Sequence, residues 1–222
     1  MDDSQFLAGV VEGFYGRPWT PTERQRLFEQ MGEWGLNTYF YAPKDDLKHR
    51  AIWREPYDSV ELTQLQTLIR ACEEQGVTFI YGLSPGLDIR FADPAELERI
   101  TLRFDQLIDV GCQSFGLLFD DLPGQLNRDD LEQFTSVAAA HCEVTNKVCA
   151  WLQKKVGLRP LLFCPTPYCD RMDGWHLGGA DFLETLGREL DPRVEVLWTG
   201  PEIVSREIYV PSIERLQARI GR

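Results

Sequence analysis

The sequence predicts an α/β protein built on a parallel sheet, and three observations support this fold class. Six short apolar runs alternate with longer amphipathic segments along the 222 residues, which is the pattern of repeated strand–helix units. Most of these runs are apolar at both alternate sets of positions, as in strands whose two faces are covered. The composition, with 43% hydrophobic and 26% charged residues, is that of an ordinary globular protein.

The predicted strands are rich in β-branched and aromatic residues, which favour extended structure. No linker or low-complexity segment interrupts their alternation with helices, so one domain is expected over residues 1–222. The strands are predicted at Leu7–Phe14, Asn37–Ala42, Thr78–Leu83, Ser114–Phe119, Pro160–Cys164 and Val194–Trp198.

The segments between the strands carry helix start and stop signals. Thr20-Pro21 resembles an N-cap followed by proline at the first helical position, and Asp93-Pro94 opens the third helix in the same way. The second helix is expected over Glu61–Gln75 and ends at Gly76. The later helices are predicted over residues 129–155, 180–190 and 212–220.

Apolar residues at spacings of three and four predict one buried face on each of the first three helices. One buried face per helix fits helices that cover a sheet. The residues expected to be buried are Leu27, Met31 and Trp34, then Leu62, Leu65, Leu68 and Ile69, then Leu97, Ile100, Leu107 and Ile108.

The charge balance excludes several classes of partner. With 23 Lys and Arg against 35 Asp and Glu, the formal net charge is −12. Such a surface repels nucleic-acid phosphates and anionic lipid, so neither a nucleic acid nor a membrane is an expected partner. The N-terminal residues MDDSQFLAGV carry acids where a signal peptide needs basic residues.

The cysteines and histidines show no metal-ligand spacing, so no metal and no other cofactor is expected. The six cysteines contain no CxxC pair and are too sparse for a disulfide framework. Reduced, mostly buried thiols in a cytoplasmic protein are the expectation. The three histidines, His49, His141 and His176, are scattered along the chain.

Two parallel architectures remain, a doubly wound nucleotide-binding sheet and a barrel. The first strand of a nucleotide-binding sheet normally leads into GxGxxG or GxxxxGK[ST]. Here it leads into Gly13-Phe14-Tyr15-Gly16-Arg17-Pro18, which matches neither motif. A barrel is therefore favoured.

Polar and aromatic residues follow the predicted strands, at the ends where parallel α/β folds handle ligands. Carboxylates, hydroxyls, a lysine and aromatic rings around one rim are what a carbohydrate site needs, because rings stack on sugar faces and charged groups bind hydroxyls. In chain order the candidates are Glu12, Gly13, Tyr15, Tyr41, Lys44, Asp45, Asp46, Ser84, Asp88, Asp120, Asp121, Cys164, Thr166, Tyr168, Trp198 and Thr199.

The sharpest of these features is the pair Asp120-Asp121, at the mouth of the apolar run Leu117-Leu118-Phe119. Adjacent carboxylates resist joint ionisation, so one would serve as an acid while the other stays charged. Alternatively, one aspartate caps the following turn and the other is solvated. In the same way, Lys44 can belong to a solvated loop, and Tyr168 can simply pack.

Long motifs resemble the catalytic domains of the O-GlcNAcase type, the β-N-acetylglucosaminidases of glycoside hydrolase family 84. The resemblance spans essentially the whole chain in the family's order. It implies a TIM (β/α)8 barrel and a retaining hydrolase whose substrate, an N-acetylglucosamine-bearing glycoprotein or glycoconjugate, assists its own hydrolysis. The motifs are GVVEGFYGRPW, NTYFYAPKDDLKHR, YGLSPGLDI, LLFDDL, LLFCPTPYC and VLWTGPEIVS.

The resemblance also implies roles for individual residues. Asp120 would accept the acetamide N–H of the substrate, and Asp121 would protonate the leaving oxygen and then act as base on water. The backbone of Gly13 and the amine of Lys44 would bind sugar hydroxyls. Three further residues would lie around the sugar: Tyr168 near the acetamide, Tyr15 beside the sugar or the aglycone, and Cys164 in the acetamide pocket.

The family's barrel has eight βα units, and six are visible in this sequence. The seventh and eighth strands would supply an aromatic wall for the acetamide and Asn and Asp side chains for the outer hydroxyls. Two hypotheses therefore stand. The chain is most of a β-N-acetylglucosaminidase catalytic domain, or it is a truncated, non-catalytic homologue that acts as a weak sugar-binding or interaction module. A related hexosaminidase acting on free or matrix glycans would differ from the first in its aglycone.

Overall fold

A computed structural model of the chain describes residues 6–85, 87–157 and 159–221. These residues form two compact units, the first running up to Leu83 and including Leu102–Phe115, and the second containing Ser84–Thr101 and the residues from Gly116 onward. In chain order the elements are β1 (Gly9–Glu12), α1 (Pro21–Glu33), β2 (Thr38–Tyr41), α2 (Ser59–Glu74), β3 (Thr78–Leu83), α3 (Pro94–Asp109), β4 (Ser114–Leu118), α4 (Arg128–Gln133), α5 (Val137–Val156), β5 (Leu161–Cys164), α6 (Asp170–Gly174), α7 (Phe182–Glu189), β6 (Val194–Val196) and α8 (Val210–Ile220).

In the first unit β1, β2 and β3 pair in parallel, with Gly9 opposite Thr38 and Thr38 opposite Thr78. Every residue of β2 is buried, as predicted for a strand covered on both faces. β1 departs from that prediction, because Val11 is 59% exposed. Within its unit β1 has a strand partner on one side, so less of its surface is covered.

The first helix begins as its signals predict, but of its three expected buried positions Leu27 is only half-buried and Trp34 is wrong. Thr20 and Glu23 form a reciprocal capping box, and Pro21 is the first helical residue. Met31 is fully buried, whereas Trp34 is 63% exposed. Trp34 is the C-cap residue, where the helix ends and its periodicity no longer fixes the direction of a side chain. Phe28 is buried instead, with its ring centre 4.9 Å from that of Tyr39.

In the second unit β4, β5 and β6 also pair in parallel, with Gly116 opposite Leu162 and Leu161 opposite Val194. Helix α5 contributes the largest buried face. Its residue His141 is fully buried and has ring contacts with Phe91, Phe119, Phe163 and Phe182.

The single long helix predicted over residues 129–155 is wrong, because the structure has two helices, α4 and α5, in this region. Phe134 ends α4 with an extended backbone, at φ −115° and ψ 140°. Ser136 then caps α5, and its hydroxyl accepts the backbone N–H of Ala139 at 3.1 Å. A serine at a new N-cap restarts the helix in another direction. The short helix α6 was not predicted.

The predicted α/β class is confirmed. Every strand is followed along the chain by a helix, and in each unit the strands are parallel and neighbours in chain order. Six βα units in this order are consistent with an incomplete (β/α)8 barrel. In the described part of the chain, no helix is both long enough and apolar enough to span a membrane.

Candidate active site

In the first unit, the predicted sugar-binding residues meet at the carboxyl ends of β1 and β2. The backbone N–H of Lys44 donates to the carbonyl of Phe14 at 3.2 Å. Phe14 lies between Gly13 and Tyr15 in the chain, so this bond brings all three predicted residues together. Lys44 is 9% exposed and Tyr15 is 65% exposed, so the joined loops carry a largely buried lysine and an accessible ring.

Two further contacts tie the loop after β1 to the loop after β2. The backbone N–H of Gly16 donates to the Asp45 carboxylate at 3.1 Å. The guanidinium of Arg50 donates to the Tyr15 hydroxyl at 2.7 Å and lies 5.6 Å from the centre of that ring. The position of Tyr15 is therefore set by the neighbouring loop as well as by its own.

Glu12, another strand-end candidate, has its carboxylate buried in hydrogen bonds with other residues of the protein. It is fully buried, and its two oxygens accept hydrogen bonds from the guanidinium of Arg24 at 2.8 and 2.9 Å. The hydroxyl of Tyr39 and the backbone N–H of Trp19 also donate to it. Removal of either partner would leave an uncompensated buried charge, so this pair fixes the start of α1 against the strands.

Asp46 has a similar internal role beneath the loop that carries Lys44. Its carboxylate accepts hydrogen bonds from the hydroxyls of Tyr41 at 2.8 Å and Tyr57 at 2.9 Å. It also accepts the backbone N–H groups of Lys48 at 3.0 Å and His49 at 3.3 Å. Donors from several segments thus converge on one carboxylate and fix the loop.

Arg103 completes this buried network, and the sequence analysis missed it. Its guanidinium donates to the Tyr81 hydroxyl at 3.1 Å and stacks over the Tyr57 ring at 4.2 Å. It also donates to the backbone carbonyls of Lys48, Trp53 and Glu55. Arg103 follows Ile100 by three positions on the inward face of α3, so an arginine in an apolar stripe was the signal that could have revealed it.

In the second unit, Asp120 and Asp121 follow β4 directly. Asp120 is half-buried and Asp121 is exposed. The backbone of Asp121 is left-handed, with φ +60°, a conformation that non-glycine residues rarely adopt and that asparagine and aspartate tolerate best. Strained backbone of this kind clusters at functional sites. The turn also ends the alternation by which neighbouring strand residues point to opposite faces.

The Tyr168 phenol interacts electrostatically with both carboxylates of this pair. Burial, together with the negative charges of Asp121 and Asp120, raises the pKa of the Tyr168 phenol to about 12. The Cys164 thiol interacts electrostatically with the same phenol. The structure thus brings together the second group of predicted site residues, Asp120, Asp121, Cys164 and Tyr168. The phenol stays protonated at neutral pH and can donate a hydrogen bond.

Backbone contacts hold these residues in place. The N–H of Phe119, which precedes Asp120, donates to the carbonyl of Cys164 at 2.8 Å. The hydroxyl of Thr166 donates to the carbonyl of Phe119 at 2.8 Å. The carbonyl of Tyr168 accepts the N–H of Thr199 at 2.9 Å. The segments after β4, β5 and β6 are thereby joined.

A cavity of about 490 Å³ in the second unit has one of the listed strand-end candidates, Asp88, in its lining, but none of the residues to which the resemblance assigns a role. It lies between residues 87–91 and 122–130 and carries charges of both signs. Since the predicted chemistry lies at the strand ends, we assign the site to those residues and not to this cavity. Among the residues that the structure describes, no group of His, Cys, Asp and Glu is arranged to hold a metal ion.

Comparisons with known proteins agree with the resemblance. The family described as NAGidase, beta-N-acetylglucosaminidase, matches residues 8–222. Proteins named Protein O-GlcNAcase from Mus musculus and Rattus norvegicus are each 47% identical over 218 residues, which is 98% of this chain and 24% of each relative. The chain therefore spans about a quarter of the length of these relatives.

A solved structure with the same fold is that of a Thermobaculum terrenum O-GlcNAc hydrolase mutant. It superposes with a TM-score of 0.90 at 33% identity and covers 97% of this chain. The match takes in 46% of that protein's chain.

Proposed function

Because this chain belongs to the β-N-acetylglucosaminidase family, glycoside hydrolase family 84, we propose that it removes N-acetylglucosamine O-linked to serine or threonine of glycoproteins. The observation that carries the proposal is the Asp120-Asp121 pair at the end of β4, with its left-handed backbone at Asp121 and an electrostatic interaction of both carboxylates with the Tyr168 phenol. A paired acid and base beside a hydrogen-bond donor is the machinery that hydrolysis of a glycoside needs.

The proposed reaction is substrate-assisted and passes through an oxazoline. The acetamide oxygen of the sugar attacks the anomeric carbon while Asp120 accepts the acetamide N–H. Asp121 gives its proton to the departing serine or threonine oxygen, and the glycosidic bond breaks. In the second step Asp121 takes a proton from water, and the water oxygen bonds to the anomeric carbon. The bond between that carbon and the acetamide oxygen breaks, which opens the oxazoline ring and regenerates the acetamide with overall retention.

The adjacency of the two aspartates supports this route over ordinary retention. A protein nucleophile and an acid must flank the bond, with carboxyl groups about 5–5.5 Å apart on opposite sides of it. Neighbouring residues on one strand end cannot easily do so. They can, however, act together on an acetamide and a leaving oxygen, because these groups are carried by the adjacent C2 and C1 atoms of the sugar while the acetamide oxygen attacks from the face opposite the leaving oxygen.

The remaining residues have supporting roles in the proposal. Tyr168 donates a hydrogen bond near the acetamide, since its raised pKa keeps the phenol protonated. Cys164 lines the acetamide pocket. The backbone of Gly13 and the amine of Lys44 bind sugar hydroxyls, and the exposed ring of Tyr15 lies beside the sugar or the aglycone.

The proposed setting is the cytoplasm, with a glycoprotein as the partner and neither nucleic acid nor membrane. The net charge of −12 supports the exclusion of polyanionic partners. None of the six cysteines, all of which lie in described segments, forms a disulfide, which is compatible with a reducing compartment.

The direct test is hydrolysis of an aryl N-acetyl-β-glucosaminide by the purified chain, alone and complemented with the segment that supplies the remaining barrel strands. We expect cleavage with retained anomeric configuration, followed by proton NMR. A complemented chain that binds an N-acetylglucosamine-derived thiazoline normally but leaves the substrate intact would refute the proposal.

The role of Asp121 has its own prediction. Asp121→Asn keeps a residue that tolerates the left-handed backbone but cannot donate a carboxylic proton. We expect kcat/KM on substrates with alkyl leaving groups to fall by about 10²–10⁴-fold, and to fall much less on dinitrophenyl substrates, which need little protonation.

Asp129→Asn, on the exposed first turn of α4 in the same unit, is the matched control and should leave both rates unchanged. Equal losses of Asp121→Asn on good and poor leaving groups would contradict the assignment of Asp121 as the acid.

A second candidate function is weak sugar binding without catalysis. It applies to the 222 residues acting alone, which span 24% of the mouse relative and 46% of the solved bacterial chain. Calorimetry with the thiazoline separates the two, because that compound mimics the oxazoline. Tight binding by the 222-residue chain alone would count against a non-catalytic module.

A further inference from the structure

Phe119, the residue before the proposed catalytic pair, is held from every side. It is fully buried, and its ring centre lies 4.6 Å from that of His141 and 5.3 Å from that of Phe91. Its N–H donates to the carbonyl of Cys164 at 2.8 Å. Its carbonyl accepts the hydroxyl of Thr166 at 2.8 Å.

The bond from Thr166 lies where the regular sheet has already ended. The β4–β5 register stops at Leu118 opposite Cys164, and three residues later Asp121 adopts its left-handed turn. The carbonyl of Phe119 belongs to the peptide group whose nitrogen is that of Asp120. A hydrogen bond to this carbonyl therefore fixes the plane of the peptide from which Asp120 projects.

We propose that Thr166 is a positioning residue for the Asp120-Asp121 pair, a role that rests on the proposed glycosidase function. Its hydroxyl replaces the strand-to-strand hydrogen bond that the diverging backbones no longer make. Thr166 is 1% exposed, so solvent water does not compete for the Phe119 carbonyl.

The same residue links the aspartates to their phenolic neighbour. Thr166 precedes Tyr168 by two positions, and the carbonyl of Tyr168 is held by the N–H of Thr199 at 2.9 Å. The segment 166–168 is thus fixed at one end to the peptide of Asp120 and at the other to the end of β6. A fixed spacing between phenol and carboxylates follows, and catalytic rates are sensitive to displacements of about 1 Å.

Three variants test the proposal. Thr166→Val keeps the shape of the side chain and removes the hydroxyl, whereas Thr166→Ser keeps the hydroxyl. Thr145→Val is the matched control, because Thr145 is a fully buried threonine of the same unit whose hydroxyl has no hydrogen-bond partner among the described residues.

We expect Thr166→Val to lower kcat on an aryl N-acetylglucosaminide by about 10–100-fold with little change in KM, and Thr166→Ser to restore most of the rate. Thr145→Val should match the parent chain. A normal kcat in Thr166→Val would overturn the proposal, and so would equal losses in the valine and serine variants, which would indicate packing alone.

A second measurement works without activity. Amide hydrogen exchange at Asp120 and Asp121 should be faster in Thr166→Val than in the parent chain, and unchanged in Thr145→Val. Unchanged exchange in Thr166→Val refutes the positioning role. If the parent chain is inactive while exchange responds as expected, the proposed function fails and the positioning of the pair stands.

Discussion

His141 places an imidazole in an apolar setting where it cannot hold a charge. Its ring lies among four phenylalanine rings, with centres 4.6 to 6.1 Å away. Neither ring nitrogen has a hydrogen-bond partner among the described residues. Burial lowers the pKa of His141 to about 3. Burial likewise lowers the pKa of His49, to about 4, although the carbonyl of Gly82 accepts a hydrogen bond from its ring.

These histidines predict a loss of stability in mild acid. An unfolded histidine has a pKa of about 6.5. Below that pH the histidines of the unfolded chain are protonated, whereas His49 and His141 of the native chain stay neutral. The contribution of the two neutral histidines to the free energy of unfolding is fully present above pH 6.5. It falls as the pH drops toward the folded pKa values near 3 and 4. The slope approaches about 1.4 kcal/mol per pH unit for each histidine.

Urea unfolding of the parent chain and His141→Leu at pH 7, 6 and 5 measures this loss. Between pH 7 and pH 5 the free energy of unfolding of the leucine variant should fall less than that of the parent chain. The difference should correspond to the uptake of about one proton on unfolding. At pH 7 its stability should be equal or higher, because two unsatisfied buried nitrogens are removed. The same decline in both proteins would show that His141 does not contribute.

The residues of the candidate site were largely predictable, and the residues that support them were not. Asp120, Asp121 and Lys44 stand out because they are polar residues that follow the ends of apolar strands. Arg103 does not, and the internal role of the strand-end candidate Asp46 was not predicted, since spacing marks which face of a segment is buried but not which groups it meets there. The network around Asp46 depends on Tyr57 and Tyr81, whose approach to it requires the folded backbone.

Among the elements, α7 and α8 are in unusually close contact at Gly187. A Cβ atom at this position would lie 2.7 Å from the backbone oxygen of Ile220 and 2.9 Å from its carbonyl carbon. Backbone cannot move aside as a flexible side chain can. The absence of a side chain at Gly187 therefore sets how near the end of α8 lies to α7.

Gly187→Ala should destabilise the chain by about 1–3 kcal/mol, although alanine is the better helix former. Gly174→Ala is the control, since a Cβ atom at this helical glycine meets no atom within 4 Å. It should leave stability unchanged or slightly raised. Chemical unfolding distinguishes the two, and equal effects would argue against a steric origin.

Element type and order followed from the sequence, whereas helix ends depended on single side chains. The strand Thr78–Leu83 has the bounds that its apolar run predicts. The break between α4 and α5 escaped prediction because the apolar periodicity continues through it. The Ser136 hydroxyl and the extended backbone of Phe134 decide it locally, and neither disturbs the pattern.

At the scale of the whole molecule, no covalent cross-link stabilises the fold. The six cysteines, all within described segments, form no disulfide, and burial raises the pKa of the Cys72 thiol to about 12. Stability therefore comes from packing and buried polar networks in each unit. The expectation of a single domain over residues 1–222 stays a prediction.

The midpoint of thermal unfolding should accordingly be the same with and without a reducing agent. Calorimetric scans in dithiothreitol and in a thiol-free buffer measure this directly. A lower midpoint in the reductant would reveal a cross-link that stabilises the native chain. Scans at two heating rates control for slow oxidation during the scan.

The contacts that join the loops after β1 and β2 have a consequence for the thermodynamics of the proposed sugar binding. Gly16 bonds to Asp45, Lys44 to Phe14 and Tyr15 to Arg50, so the two loops are ordered before any sugar arrives. Their conformational entropy is lost when the chain folds and not when it binds. Binding at this surface should then be driven by enthalpy, with a small entropic penalty from the protein.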